Sequence, residues 1–205
     1  MDKLKNMVYS NKKVIVFLVG LMVIGILFGS SMPLFLSSAD KDLITNYLND
    51  FIASINNVDS LFLFKNSLIN NFSCVFLIWV LGISIIGVPI VLFIFFSKCF
   101  IMGFSITSII LNYGFKGIVF SLAYIFPSVV IDILVYLVIT SFSLIFSINL
   151  ILYIFKKKDF NIRTSFNKYF KIFVLALFFI ILISLYEAFI SPVILRFVFE
   201  MLSIK

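Results

Sequence analysis

Asp132 is the only formal charge between Lys116 and Lys156, within the apolar stretch Pro127-Ser128-Val129-Val130-Ile131-Asp132-Ile133-Leu134. A carboxylate inside a membrane span costs about 2.5–3.5 kcal/mol on insertion scales, so it reads by default as a proton or cation site. The competing reading is a hydrogen-bonded structural carboxyl near the outer boundary. With no histidine in the chain, and no arginine in neighbouring spans, a proton relay has few partners, which favours the structural reading. Glu187, in Leu185-Tyr186-Glu187-Ala188-Phe189-Ile190-Ser191-Pro192, falls near the outer end of the last apolar run, where packing or interaction suits it better than catalysis. The absence of histidine also removes the commonest general base and the commonest metal ligand. Cys74 and Cys99 sit at opposite ends of one apolar run; as a single helix it would hold them roughly 37 Å apart. A disulfide is then excluded, and both read as small apolar fillers. There is no Walker lysine loop, nucleophile elbow, metal-ligand spacing or pair of carboxylates at helical spacing inside the spans. No catalytic residue, cofactor, metal site or small-molecule substrate is therefore expected.

The elements that hold these residues are membrane helices. From Phe72 to Phe155 the only formal charges are Lys98, Lys116 and Asp132. The chain is 63% hydrophobic and 12% charged, with mean hydropathy +1.23, far outside the range of soluble domains. A spanning helix needs about 20 apolar residues, so 205 residues make a single all-α membrane domain. The net charge of +7 follows from lysines flanking the spans, as the positive-inside rule requires, and implies no nucleic-acid partner.

Lys3, Lys5, Lys12 and Lys13 precede the apolar run Val14–Leu36. The run could be a signal peptide cleaved at Ser37-Ser38-Ala39, but it is longer than a signal core and reads as a retained anchor with residues 1–13 cytoplasmic. Residues 37–70 read as extracytoplasmic. Ser37 and Asp40 fit a capping box, and Leu43, Ile44, Tyr47, Leu48, Phe51, Ile52 and Ile55 form one apolar helix face, ended by Asn56-Asn57. Asp40, Asp42, Asp50 and Asp59 against Lys41 and Lys65 leave no positive excess there. The next basic cluster, Lys156, Lys157, Lys158, Arg163, Lys168 and Lys171, marks residues 156–171 as a cytoplasmic loop. With Lys98 placed on the inner side, five spans follow. Val14–Leu36 goes out, Phe72–Phe96 returns, Cys99–Phe155 leaves and comes back, and Phe173 to about Ser191 crosses with the C-terminus outside. Within the long stretch, Pro127 suggests a re-entrant or interfacial piece from about Phe115 to Pro127.

Gly25 and Gly29 form a GxxxG pattern that lets helix backbones approach closely; Gly82, Gly87 and Gly103 are further helix-packing positions, with Gly82, Gly87 and Pro89 softening the second span. The polar side of the amphipathic helix, Asp42, Asn46, Asn49 and Asp50, lacks the basic enrichment of lipid-seeking helices. Together with Glu187 it is the candidate partner-binding surface, the alternative being that this helix packs on its own spans.

The chain resembles the stage II sporulation protein M family. The resemblance rests on Asn70-Asn71, Leu81-Gly82 to Gly87-Val88-Pro89, Gly103, Phe126-Pro127 to Asp132, and Glu187-Ala188-Phe189-Ile190-Ser191-Pro192. Broader relatives carry Pro-His-Gly followed by a Glu, where this chain reads Pro127, Ser128, Val129 and Asp132; the acid is kept and the His and Gly are absent. The resemblance implies an endospore-forming bacterium and a role in engulfment. It also implies partners among the stage II sporulation proteins D and P, which cut peptidoglycan, and a non-enzymatic scaffold that places them at the septal membrane of the mother cell. The alternative is a small transporter or permease-like subunit with a broken-helix site around Pro89, Pro127 and Asp132.

Overall fold

A computed structural model of the protein describes residues 12–54, 59–122, 126–156 and 161–202. Lys3, Lys5, Lys157 and Lys158, and the Ile55-Asn56-Asn57 end of the amphipathic stretch, lie outside the described residues. All described elements are helical: α1 (Lys12–Ser31), running into a 3-10 turn at Met32–Leu34, α2 (Ser38–Ser54), α3 (Ser60–Leu81), α4 (Gly87–Tyr113), α5 (Phe115–Phe120), α6 (Phe126–Lys156), α7 (Ile162–Leu185), a π-helical turn (Tyr186–Ile190) and α8 (Ser191–Leu202). Five helical segments are long and apolar enough to cross a membrane: α1 with its 3-10 turn, α3, α4, α6, and the continuous stretch Ile162–Phe197. The chain is thus an all-α membrane helix bundle with five candidate spans.

The second and third spans do not divide as the apolar run suggests. Phe72–Phe96 is not one crossing: α3 ends at Leu81 and α4 begins at Gly87. The turn is held by Ser84 N–H on Leu81 O (3.0 Å) and Gly87 N–H on Ser84 O (3.1 Å). A Cβ on Gly87 would collide with the Leu81 carbonyl, and one on Gly82 with Ser143 Oγ and the Tyr169 hydroxyl. Hydropathy cannot register such a turn, because Ile83, Ile85 and Ile86 keep it apolar. Three corrections follow. Cys99–Tyr113 is the second half of a full span, Lys98 lies in the middle of α4 rather than at the inner side, and the two cysteines are not at the ends of one helix. Both cysteines are free.

Inter-helix hydrogen bonds fix the directions. Tyr136 bonds Asn71, Ser143 bonds Ile78 O and Ser147 bonds Gly82 O, each pair separated by 65 residues, so α3 and α6 run parallel. Tyr169 bonds Trp79 O and Ser67 meets Ser184, so α7 is antiparallel to both. Gly25 meets Cys99 and Phe96, Gly29 meets Phe100, and Gly103 meets Ile26 and Ser30, which makes α1 and α4 parallel, with their backbones in close contact. Small residues permit this approach where lipid offers no hydrophobic drive for helix association. α6 is the most buried of the spans and forms the axis of the main core, where Ile139, Val75, Val91, Phe95 and Ile180 meet.

One end of the bundle collects Lys12, Lys13, Lys156, Arg163, Lys168 and Lys171; this is the basic end. The opposite end is capped. Gly114 adopts φ 57° and ψ −131°, a conformation open to glycine, and turns the chain back so that α5 lies on α4, with Gly117 against the Ile109 carbonyl. Ile109, Phe120 and Leu195 form a second small core there, with Leu48 of α2 packed on it. Pro127 sits in the first turn of α6, and Pro89 in the first turn of α4. Neither position needs its amide, and the two lie at opposite ends of the bundle. The prolines therefore start helices and do not jointly break one near the midplane.

Candidate functional site: a charged cluster inside the bundle

The displacement of Lys98 into α4 changes what surrounds Asp132. Asp132 on α6, Glu187 on the π-helical turn and Lys98 on α4 lie within electrostatic reach of one another. Each belongs to a different element, and all three side chains are half-buried. The Lys98 ammonium sits 5.1 Å from the centroid of the Tyr136 ring, a cation–π contact. The Tyr136 hydroxyl in turn donates to Asn71 Oδ1 at 3.0 Å, and both of those residues are buried. Ser67 donates to Glu187 Oε2 and lies 3.1 Å from Ser184 Oγ. Asp132 Oδ1 is buried and has no hydrogen-bond partner among the described residues.

The π-helical turn follows from Pro192. A proline ring clashes with the carbonyl four residues back and offers no N–H. The turn widens, and the Ser191 amide reaches back to Tyr186 O. Turns of this kind recur at functional positions.

Sequence reasoning found Asp132 and Glu187 but missed Lys98, Ser67, Asn71, Tyr136 and Ser184. A signal was present. Ser67 and Asn71 lie four apart on α3, as do Asp132, Tyr136 and Thr140 on α6 and Glu187 and Ser191 at the end of the last span. These are polar stripes at helical spacing, visible once neutral polar residues are counted with the charged ones.

At the capped end, the apolar face expected for α2 is divided. Ile44 and Leu48 turn toward the bundle, while Leu43 and Tyr47 are 67% and 72% exposed. The division comes from polar docking. Thr45 donates to Asn112 Oδ1, and the Tyr113 hydroxyl donates to Asn49 Oδ1 at 2.9 Å, which rotates the helix so that Asn49 also faces α4. Asp42, Asn46 and Asp50 remain exposed on the outer face. At the helix start Ser37 Oγ accepts from the Asp40 amide at 3.2 Å, as a capping box requires, and the Ser37 hydroxyl donates to Asp40 Oδ2 at 2.6 Å.

Among the described residues no group of three metal-ligating side chains occurs. The family model described as stage II sporulation protein M matches residues 14–192. No individual curated protein and no solved structure matches the chain.

Proposed function

The chain belongs to the stage II sporulation protein M family and is a sporulation-related membrane protein; from that premise we propose that it is a non-enzymatic scaffold recruiting peptidoglycan hydrolases to the septal membrane during engulfment. The stage II sporulation proteins D and P are the partners this reading names. The observation that carries it is the capped end. There α2 is anchored on the bundle by Ile44, Thr45, Leu48 and Asn49 and presents Asp42, Asn46 and Asp50 away from it. The acid-free cluster of lysine and arginine at the other end supports a cytoplasmic N-terminus by the positive-inside rule. The cap and the C-terminus are then outside, in the compartment of the hydrolases. The region around Glu187 and the C-terminus is the second proposed contact; the Glu187 carboxylate itself turns into the bundle toward Ser67.

The test is recovery of the hydrolases with the tagged protein from sporulating cells. Asp42→Lys combined with Asp50→Lys should lower that recovery severalfold at unchanged membrane levels of the protein. Equal recovery would move the contact away from α2. The charged cluster favours a second reading, a small transporter or permease-like subunit, for which an adjacent ATPase gene in place of sporulation genes would be the sign.

A further inference from the structure

Recruitment leaves the Lys98, Asp132 and Glu187 cluster without a task, and its charge does not balance. Two carboxylates lie within electrostatic reach of one ammonium. The other groups turned toward them are neutral hydroxyls, an amide and a thiol: Ser67 and Asn71 with Cys74 on α3, Tyr136 on α6, and Ser184 on α7. An uncompensated ion in an apolar interior costs several kcal/mol, more than any single hydrogen bond in the cluster returns. The two carboxylates are also served unequally. Glu187 receives the Ser67 hydroxyl, whereas the buried Asp132 Oδ1 has no donor among the described residues. A further acceptor lies on the same turn as Glu187. The Ser191 amide is committed to Tyr186 O, and Pro192 has no N–H to give the Glu187 carbonyl that comes next in the same register.

We propose that this cluster is a binding site for one exchangeable monovalent cation, a proton or an alkali metal ion, with Lys98 as its fixed counter-charge. The ion supplies the missing positive charge, and Asp132 is its principal ligand. A divalent ion would unbalance the cluster in the opposite sense. Asp132 lies about 9 Å along α6 from its start at the capped end, so exchange takes place from that end. The site stands whether the chain is a scaffold or a transporter subunit, because it rests on the charge count inside the bundle.

The experiment uses the full chain in lipid nanodiscs and a hydrophobic carbodiimide, which forms a stable adduct with a protonated carboxyl in an apolar environment. Mass spectrometry maps the adduct as a function of pH, with and without sodium or potassium. The expected result is an adduct at Asp132 that disappears as pH rises. Protection by sodium or potassium at fixed pH identifies an alkali ion as the natural occupant; protection by pH alone identifies the proton. Asp132→Asn should abolish labelling at that position. Lys98→Met, which withdraws the fixed positive charge, should raise the labelled fraction at neutral pH severalfold. The proposal is overturned if neither carboxyl is labelled at any pH in folded protein, or if labelling ignores pH, alkali ions and the loss of Lys98. None of these outcomes depends on hydrolase recruitment, so failure here and failure of the scaffold reading are distinguishable.

Discussion

Glycine takes several roles in this chain, and only the fold separates them. Gly82 and Gly87 form the tight connection between α3 and α4, where an added methyl meets Ser143, Tyr169 and the Leu81 carbonyl. Gly114 is required for its positive φ. Gly20 faces open space in the middle of α1, with nothing within 4 Å of an added Cβ. The substitutions should therefore split in sign. Gly82→Ala and Gly87→Ala each lower stability by about 1–3 kcal/mol through overpacking, while Gly20→Ala raises it by about 0.5–1 kcal/mol through helix propensity. Thermal unfolding in detergent would read both, and an undiminished Tm for Gly87→Ala would overturn the close approach of residue 87 to the Leu81 carbonyl. The chemistry at the cluster was half legible at this scale. An acid in an apolar stretch announces itself through its desolvation cost, as Asp132 and Glu187 did. A lysine inside an apolar run is read as a span boundary, and Lys98 was misplaced for that reason.

Element boundaries depend on interactions that hydropathy does not record. The number of spans and the amphipathic segment after Ser37 were legible from period and composition. The turn at residues 82–86 was not. Its stability comes from main-chain bonds and from hydroxyls on α6 and α7, while three of its side chains, Ile83, Ile85 and Ile86, keep it apolar on average. The division of the α2 apolar face was equally hidden, since it depends on Asn112 and Tyr113 at the far end of α4. The α1–α4 contact offers a direct check on the assembled helices. A Cβ at position 25 would lie 2.9 Å from the Cβ of Cys99, slightly closer than the roughly 3.8 Å of a disulfide, so a small separation of the helices would allow the bond. In a Cys74→Ser background, Gly25→Cys should form an intramolecular disulfide with Cys99 under mild oxidation, seen as a mobility shift reversed by reductant. A dimer cross-linked through position 25 would instead mean that the GxxxG face joins two copies of the chain.

For the molecule as a whole, the two ends are chemically different surfaces. Lys12, Lys13, Lys156, Arg163, Lys168 and Lys171 gather at one end from three separate segments of chain, with no acid beside them among the described residues. The capped end mixes Asp40, Asp42, Asp50 and Asp59 with Lys41, Lys65, Lys116 and Arg196. Because α1 and α4 run one way, α3 and α6 the other, and α7 back again, a single assignment of inside and outside fixes every loop. Positive residues are retained on the cytoplasmic side, and that rule predicts an outward-facing cap. In a background lacking Cys74 and Cys99, Asp42→Cys should react with a membrane-impermeant maleimide in intact cells. Arg163→Cys should react only after permeabilisation. The reverse pattern would place α2 in the cytoplasm, out of reach of any enzyme that cuts peptidoglycan. It would remove the scaffold reading outright and leave the cluster to exchange its cation with the cytoplasm.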